Sequence, residues 1–221
     1  MATLRGVAEE WDHFNRAQAF TTTPGHNGWT IKKTGAGTPT HLIASGREAK
    51  ITLSNTSEAQ IVTLYHNDVL NYPLKMLQNI SFSAKCAAVD AVTTIVMGLA
   101  SAQNDTPDSV ATHAWFRLEG SASLTNIVAE SDDGSTDRDD KATGATLAST
   151  WKRFFIDFAE GLADVRFYID GERVASDVKF DLSAIADGTL VQPYFMLGKA
   201  SGTGVPSLSI TGLRTQFKYA Y

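Results

Sequence analysis

A chain of 221 residues with 43% hydrophobic side chains can bury a full core without covalent staples, and its single cysteine, Cys86, excludes an intrachain disulfide. With 24 acidic and 19 basic side chains, a formal net charge of −5, it offers no cationic footprint for nucleic acid. The most apolar run, residues 87–102, contains Asp90 and is too short to cross a bilayer. Glu9 and Glu10 interrupt the apolar stretch that a signal peptide needs, so a protein made in the cytoplasm is expected.

Length alone allows one or two domains. Short strands at sandwich-like intervals favour one, residues 29–221, preceded by an arm at 1–28. In that arm Leu4, Val7, Ala8, Trp11 and Phe14 follow helical spacing, which predicts a short helix. Gly6 weakens it, and an extended arm draped over a neighbour would use the same Trp11 and Phe14 as anchors. Turn-rich segments at 21–28 and 34–39 bracket a strand at 29–33. Further strands are expected at 42–44, 51–53 and 60–65, then at 79–88, where Cys86 shares a face with Ile80, Phe82 and Ala84 and reads as a small buried apolar residue. In the strand expected at 93–101 the small residues Gly98, Ala100 and Ser101 suggest close approach by a neighbouring layer.

Residues 111–119 alternate, with Ala114, Phe116 and Leu118 opposed to His113, Trp115, Arg117 and Glu119. A strand at 124–129 is followed by Glu-Ser-Asp-Asp-Gly-Ser-Thr-Asp-Arg-Asp-Asp from Glu130 to Asp140, which reads as part of an acidic surface loop. The clearest local signal is residues 151–174. Phe154, Ile156 and Phe158 oppose Trp151, Arg153, Phe155 and Asp157. Val165, Phe167 and Ile169 oppose Arg166, Tyr168 and Asp170, and Asp170-Gly171 supplies a type I′ hairpin turn. Residues 180–185 read as one helical turn crossing between sheets. The last strand changes face between Leu208/Ile210 and Leu213/Phe217/Tyr219, which places a bulge at Gly212.

The outward residues of three strands are rich in Trp, Arg and Tyr. If these strands share a sheet, the face could stack a sugar and satisfy its hydroxyls, serve as a subunit interface, or be a solvated or loop-covered surface with charges paired across strands. The residues leave all three open. Asp132, Asp133, Asp137, Asp139 and Asp140 raise calcium, but Gly134 comes too early for an EF-hand and no Glu closes the loop. The histidines form no short-range pair, so zinc has little support, and no metal or cofactor is expected. Neither a Gly-x-Ser-x-Gly elbow nor the Glu-x-Asp-x-x-Glu strand of sandwich glycosidases is present, which makes an enzyme the weaker class.

Taken together, Trp151-Lys-Arg-Phe-Phe-Ile-Asp-Phe, Asp164-Val-Arg-Phe-Tyr-Ile-Asp-Gly, Phe180-Asp-Leu-Ser, Gln192-Pro-Tyr-Phe and Pro206-Ser-Leu-Ser-Ile-Thr-Gly-Leu-Arg resemble the concanavalin A-like, laminin G-like jelly roll. With Gly28-Trp-Thr-Ile-Lys, Ile61-Val-Thr-Leu-Tyr-His-Asn-Asp-Val-Leu and Gly98-Leu-Ala-Ser-Ala, the chain is similar to virion structural proteins of tailed bacteriophages, most of all head decoration, or cement, proteins. The resemblance implies an all-β, two-sheet antiparallel jelly-roll sandwich without enzymatic activity. It also implies a place on the capsid exterior, the major capsid protein as partner, and a homo-oligomer, with a trimer favoured. Trp11 and Phe14 would then touch the capsid or a sister subunit. The alternative is a carbohydrate-binding, lectin-like module using Trp115, Arg117, Trp151, Arg153 and Tyr168.

Overall fold

The computed structural model describes residues 7–14, 20–22, 26–44 and 47–218. In chain order the strands are β1 (Val7–Asp12), β2 (Thr30–Gly35), β3 (Thr40–Ala44), β4 (Glu48–Thr52), β5 (Gln60–Tyr65), β6 (Tyr72–Pro73), β7 (Leu77–Ala87) and β8 (Thr93–Ala100). They continue with β9 (His113–Glu119), β10 (Asn126–Asp132), β11 (Asp137–Thr146), β12 (Lys152–Asp157), β13 (Arg166–Ile169), β14 (Glu172–Val174), β15 (Leu190–Lys199) and β16 (Ser207–Lys218). Two antiparallel sheets result. The first runs β14-β13-β12-β7-β16-β4-β3 with β1 added on β16, and the second runs β11-β10-β9-β8-β15-β5-β2 with β6 added on β15.

The period-two pattern turns one face of each sheet toward the other. Phe82, Phe154 and Phe167 from the first sheet meet Phe116, Phe195 and Trp29 from the second, all buried. Ring centroids lie 4.9 Å apart for Phe116–Phe154 and 5.1 Å for Phe82–Phe195, in the edge-on geometry that aromatic quadrupoles favour. Cys86 is a buried member of this core, and burial pushes its thiol up to about 11.

The hairpin expected at Asp170-Gly171 is present, with φ of 53° and 90° at the two turn residues and Phe167 opposite Val174. The bulge at Gly212 is also present. Gly212 has φ 61°, and the pairing of β16 with β7 slips between Thr211 and Arg214, so Leu208 and Ile210 and then Leu213 are all buried. Tyr219 lies outside the described residues.

Three expectations are corrected. The N-terminal segment is not a helix from Val7 to Asp12 but a strand, paired residue for residue with Leu213–Lys218. Asp12 then accepts hydrogen bonds from the Phe14 amide (2.7 Å) and the Trp29 indole (2.6 Å), turning Phe14 (φ 47°) into the chain's own core against Phe20 and Trp29. The 180–185 crossover has no helical turn, because the Asp181 carboxylate takes the Ser183 amide and hydroxyl into a local turn while Phe180 bridges to Val165. The acidic segment is a hairpin rather than a loop. Asp132 and Asp133 cap the turn at the Gly134, Ser135 and Thr136 amides, Glu130 lies on β10, and Asp137, Asp139 and Asp140 lie along β11.

Candidate functional site

Sheet order divides the three aromatic strands. β12 and β13 belong to the first sheet and β9 to the second, so their outward faces lie on opposite sides of the sandwich. The single surface expected from Trp115, Arg117, Trp151, Arg153 and Tyr168 does not exist. Two separate sites replace it.

On the outer face of the first sheet, Phe155 lies directly across from Tyr168, and their rings meet edge-on at 5.7 Å. Tyr168 in turn lies opposite Arg173 on β14, and Phe155 lies opposite Ser81 on β7. Beside the aromatic pair, the Asp170-Gly171 turn folds back over the start of β12. The Asp170 carboxylate accepts from the Arg153 amide (2.8 Å) and the Lys152 ammonium (2.7 Å), and the lysine bond holds its pKa below the usual carboxylate range. Arg153, Phe155, Tyr168, Asp170 and Gly171 together line an open depression of about 490 Å³. The exposed Arg153 guanidinium makes no hydrogen bond or ion pair with any described residue. Trp151 is 38% exposed further along the same edge, with the Lys85 ammonium 4.4 Å from its ring centroid. One of its two stacking faces is therefore engaged within the chain.

On the outer face of the second sheet, Trp115 is fully buried. The chain passing over β9 between β8 and β9 lays Val110 against a small second core of Trp115, Tyr194, Met196, Tyr65, Val96 and Ala100. Gly98 lies opposite Trp115, and a Cβ there would meet the Ala114 carbonyl at 2.4 Å, so the close approach at Gly98 comes from the adjoining strand of the same sheet and not, as expected, from a neighbouring layer. The Trp115 indole donates to Glu130 (2.6 Å), a fully buried carboxylate on β10, and stacks on His113 with ring centroids 3.6 Å apart. Arg117 pairs with Asp108 and Glu119 and comes within 3.6 Å of Glu130. Burial alone would lower the Arg117 guanidinium, but Glu130, Glu119 and Asp108 together hold it above its ordinary value.

Burial raises Glu130 to about 7, with Asp140 crowding it further and the Trp115 and Arg117 donors opposing the shift. Burial also lowers His113 and raises Asp139, the latter helped by Asp137. The sequence reading did not bring His113, Glu130 and Asp139 together. They come from three consecutive strands, and only the register, with His113 opposite Asp132 and Trp115 opposite Glu130, makes them neighbours.

The two remaining expected contacts fall on the N-terminal segment. Trp11 is 46% exposed, stacked on His13 and capped by the Arg214 guanidinium at 4.8 Å. Phe14 is fully buried within the chain and presents nothing to a neighbour.

No protein-family model matches the chain, and no curated protein does so. Solved structures do share its fold, which is the concanavalin A-like jelly roll. One belongs to the endo-acting O-glycanases that prominent members of the human gut microbiota express to initiate mucin breakdown, with TM-score 0.65 and 8% identity over 97% of this chain and 98% of that one. A glycoside hydrolase family protein from Mycobacterium thermorestibile is similar at TM-score 0.59 and 12% identity, over 93% and 99% of the two chains. The carbohydrate recognition domain of Emp47p is similar at TM-score 0.55 and 10% identity, over 92% and 94%.

Proposed function

We propose that this chain is a carbohydrate-binding domain without hydrolytic activity, and that its glycan rests on the outer face of the first sheet between Arg153, Phe155, Tyr168 and Asp170. The observation that carries this reading is the Arg153 guanidinium, unpaired among the described residues, beside two half-buried aromatic rings in an open depression. The apolar C–H face of a pyranose lies against aromatic carbon, while guanidinium and carboxylate groups exchange hydrogen bonds with its hydroxyls. Asp170 is already fixed by Lys152 and the Arg153 amide, so the acceptor is oriented before a ligand arrives. Neighbours of the same fold act on or recognise glycans by their names, which supports the class of ligand but not its identity. The virion reading keeps Trp11 as a contact but loses Phe14 to the core, so the glycan reading is preferred.

The test is a glycan array probed with the labelled full chain. Retention of a discrete set of glycans by the unmodified protein is expected, with loss in Tyr168→Ala and Arg153→Ala and no change in Trp11→Ala. Retention unaltered in both of the first two variants would remove the site. New reducing ends generated from a retained glycan would remove the claim that the domain does not cleave.

A further inference from the structure

The buried cluster on the second sheet carries a separate inference, independent of the glycan reading because it lies on the other side of the sandwich. His113 Nδ1 lies 3.0 Å from the Val110 carbonyl oxygen, which can only accept, so Nδ1 holds the ring proton and Nε2 of the neutral ring carries a lone pair. His113 is 3% exposed, and its Nε2 has no hydrogen-bond partner among the described residues. Glu130 is fully buried; its Oε2 accepts a hydrogen bond from the Trp115 indole N–H, and its Oε1 has no hydrogen-bond donor among the described residues. One ligand atom from each of His113, Glu130 and Asp139 lies within 4.8 Å of the other two. The two buried acceptor atoms, His113 Nε2 and Glu130 Oε1, thus face each other without a donor among the described residues, because the nearby Arg117 guanidinium approaches the other Glu130 oxygen, Oε2, and only to 3.6 Å.

We propose that His113 Nε2, Glu130 Oε1 and Asp139 bind a divalent transition-metal ion, Zn²⁺ being the one the donor set favours. One imidazole and two carboxylates match borderline-soft Zn²⁺, whereas Ca²⁺ asks for six or more oxygens. The supporting contacts are of the kind that orient metal ligands: a backbone carbonyl fixes the His113 tautomer and an indole N–H fixes the Glu130 carboxylate. Metal–ligand bonds of about 2.0–2.2 Å place tetrahedral ligand atoms ~3.4 Å apart, so the three must draw together, and Asp139, the exposed member, closes by rotating inward. The cation also has a structural task. The β10–β11 pairing slips between Ala129 and Ser131, where the bulge carrying Asp139 and Asp140 (φ 51°) interrupts the ladder, and an ion there ties the edge strand β11 to β9 and β10.

The full chain, stripped with a chelator, is titrated with Zn²⁺ by calorimetry and followed by thermal unfolding and by amide exchange across β11. One equivalent should bind, the unfolding midpoint should rise and fall back on re-chelation, and the Asp137–Thr146 amides should exchange more slowly. Asp139→Asn changes an exposed side chain and should keep the metal-free midpoint while weakening Zn²⁺ at least ~10-fold, and Glu130→Gln should weaken it similarly. Absence of saturable one-to-one binding, affinity unchanged in Asp139→Asn, or Ca²⁺ bound as tightly as Zn²⁺ would each overturn the assignment.

Discussion

Lys199 at the end of β15 is 2% exposed, and its ammonium donates to four backbone carbonyls: Ser54 (2.8 Å), Thr56 (2.8 Å), Gly202 (2.8 Å) and Gly204 (2.9 Å). A single cation thus gathers the 54–56 and 202–204 loops at one end of the sandwich. Lys199→Met keeps the apolar stem and removes the donor. Each carbonyl left without a partner costs about 1–3 kcal/mol where water cannot reach it, offset by no longer burying a charge. Because both loops are at the surface, water recovers part of the loss, and a net destabilisation of about 2–4 kcal/mol is expected. For a chain of this size that is a fall of roughly 5–15 °C in the unfolding midpoint. Chemical denaturation measures the total. Exchange at the Leu53 and Ala200 amides, which donate to Pro206 and Val92, reports whether the loops have opened. A loss below about 1 kcal/mol with both amides still protected would refute the reasoning, because it would mean that water replaces the ammonium at no cost.

His66 is buried against Trp29 and Tyr72 with Nε2 unpartnered, and burial lowers its pKa from 6.5 to about 4 against the weaker opposing pull of Asp12. Its folded pKa lies below the unfolded one, so the unfolded chain takes up the proton first. Stability attributable to neutral His66 is complete above about pH 6.5 and is lost as pH falls toward 4, by about 3 kcal/mol in full. The stability of the unmodified protein relative to His66→Gln should therefore drop by about 2–3 kcal/mol between pH 7 and pH 4.5, and a constant difference would count against it. Trp115→Phe should cost about 2–3 kcal/mol by withdrawing the donor from buried Glu130, and Trp115→Ala should cost more by adding a cavity, enough to threaten folding. Either variant folding with unchanged stability would show that Trp115 is not the core residue described above.

Much of the fold was legible because local chemistry determined it. Asp170-Gly171 tolerates the positive φ of its turn. The face change across Gly212 is written in the spacing of the apolar residues around it, Leu208 and Ile210 before and Leu213 after, and the alternation of residues 113–119 and 151–158 identifies inward and outward positions. Periodicity gives a residue's face but not its sheet. Trp115 does point away from the main core, as its spacing says, yet β9 pairs with its chain neighbours β8 and β10, while β12 pairs with β13 and with β7, which lies far back in the chain and carries that hairpin into the other sheet. The covering of Trp115 by Val110 was likewise hidden in a segment dominated by turn residues. The acids of β11 masked a strand, since high charge looks like a loop until an edge position in a sheet accounts for it. The N-terminal strand was missed because Trp11 and Phe14 fit a helical wheel, and only the exposed edge of β16 made an extended segment the better solution.

Whether a glycan occupies the outer face of the first sheet is tested by an NMR titration of the full chain with an oligosaccharide retained on the array. Amide shifts confined to Arg153, Phe155, Tyr168, Asp170, Gly171 and their strand neighbours are predicted. Shifts centred on β9–β11, or none at a concentration that saturates binding, would contradict it.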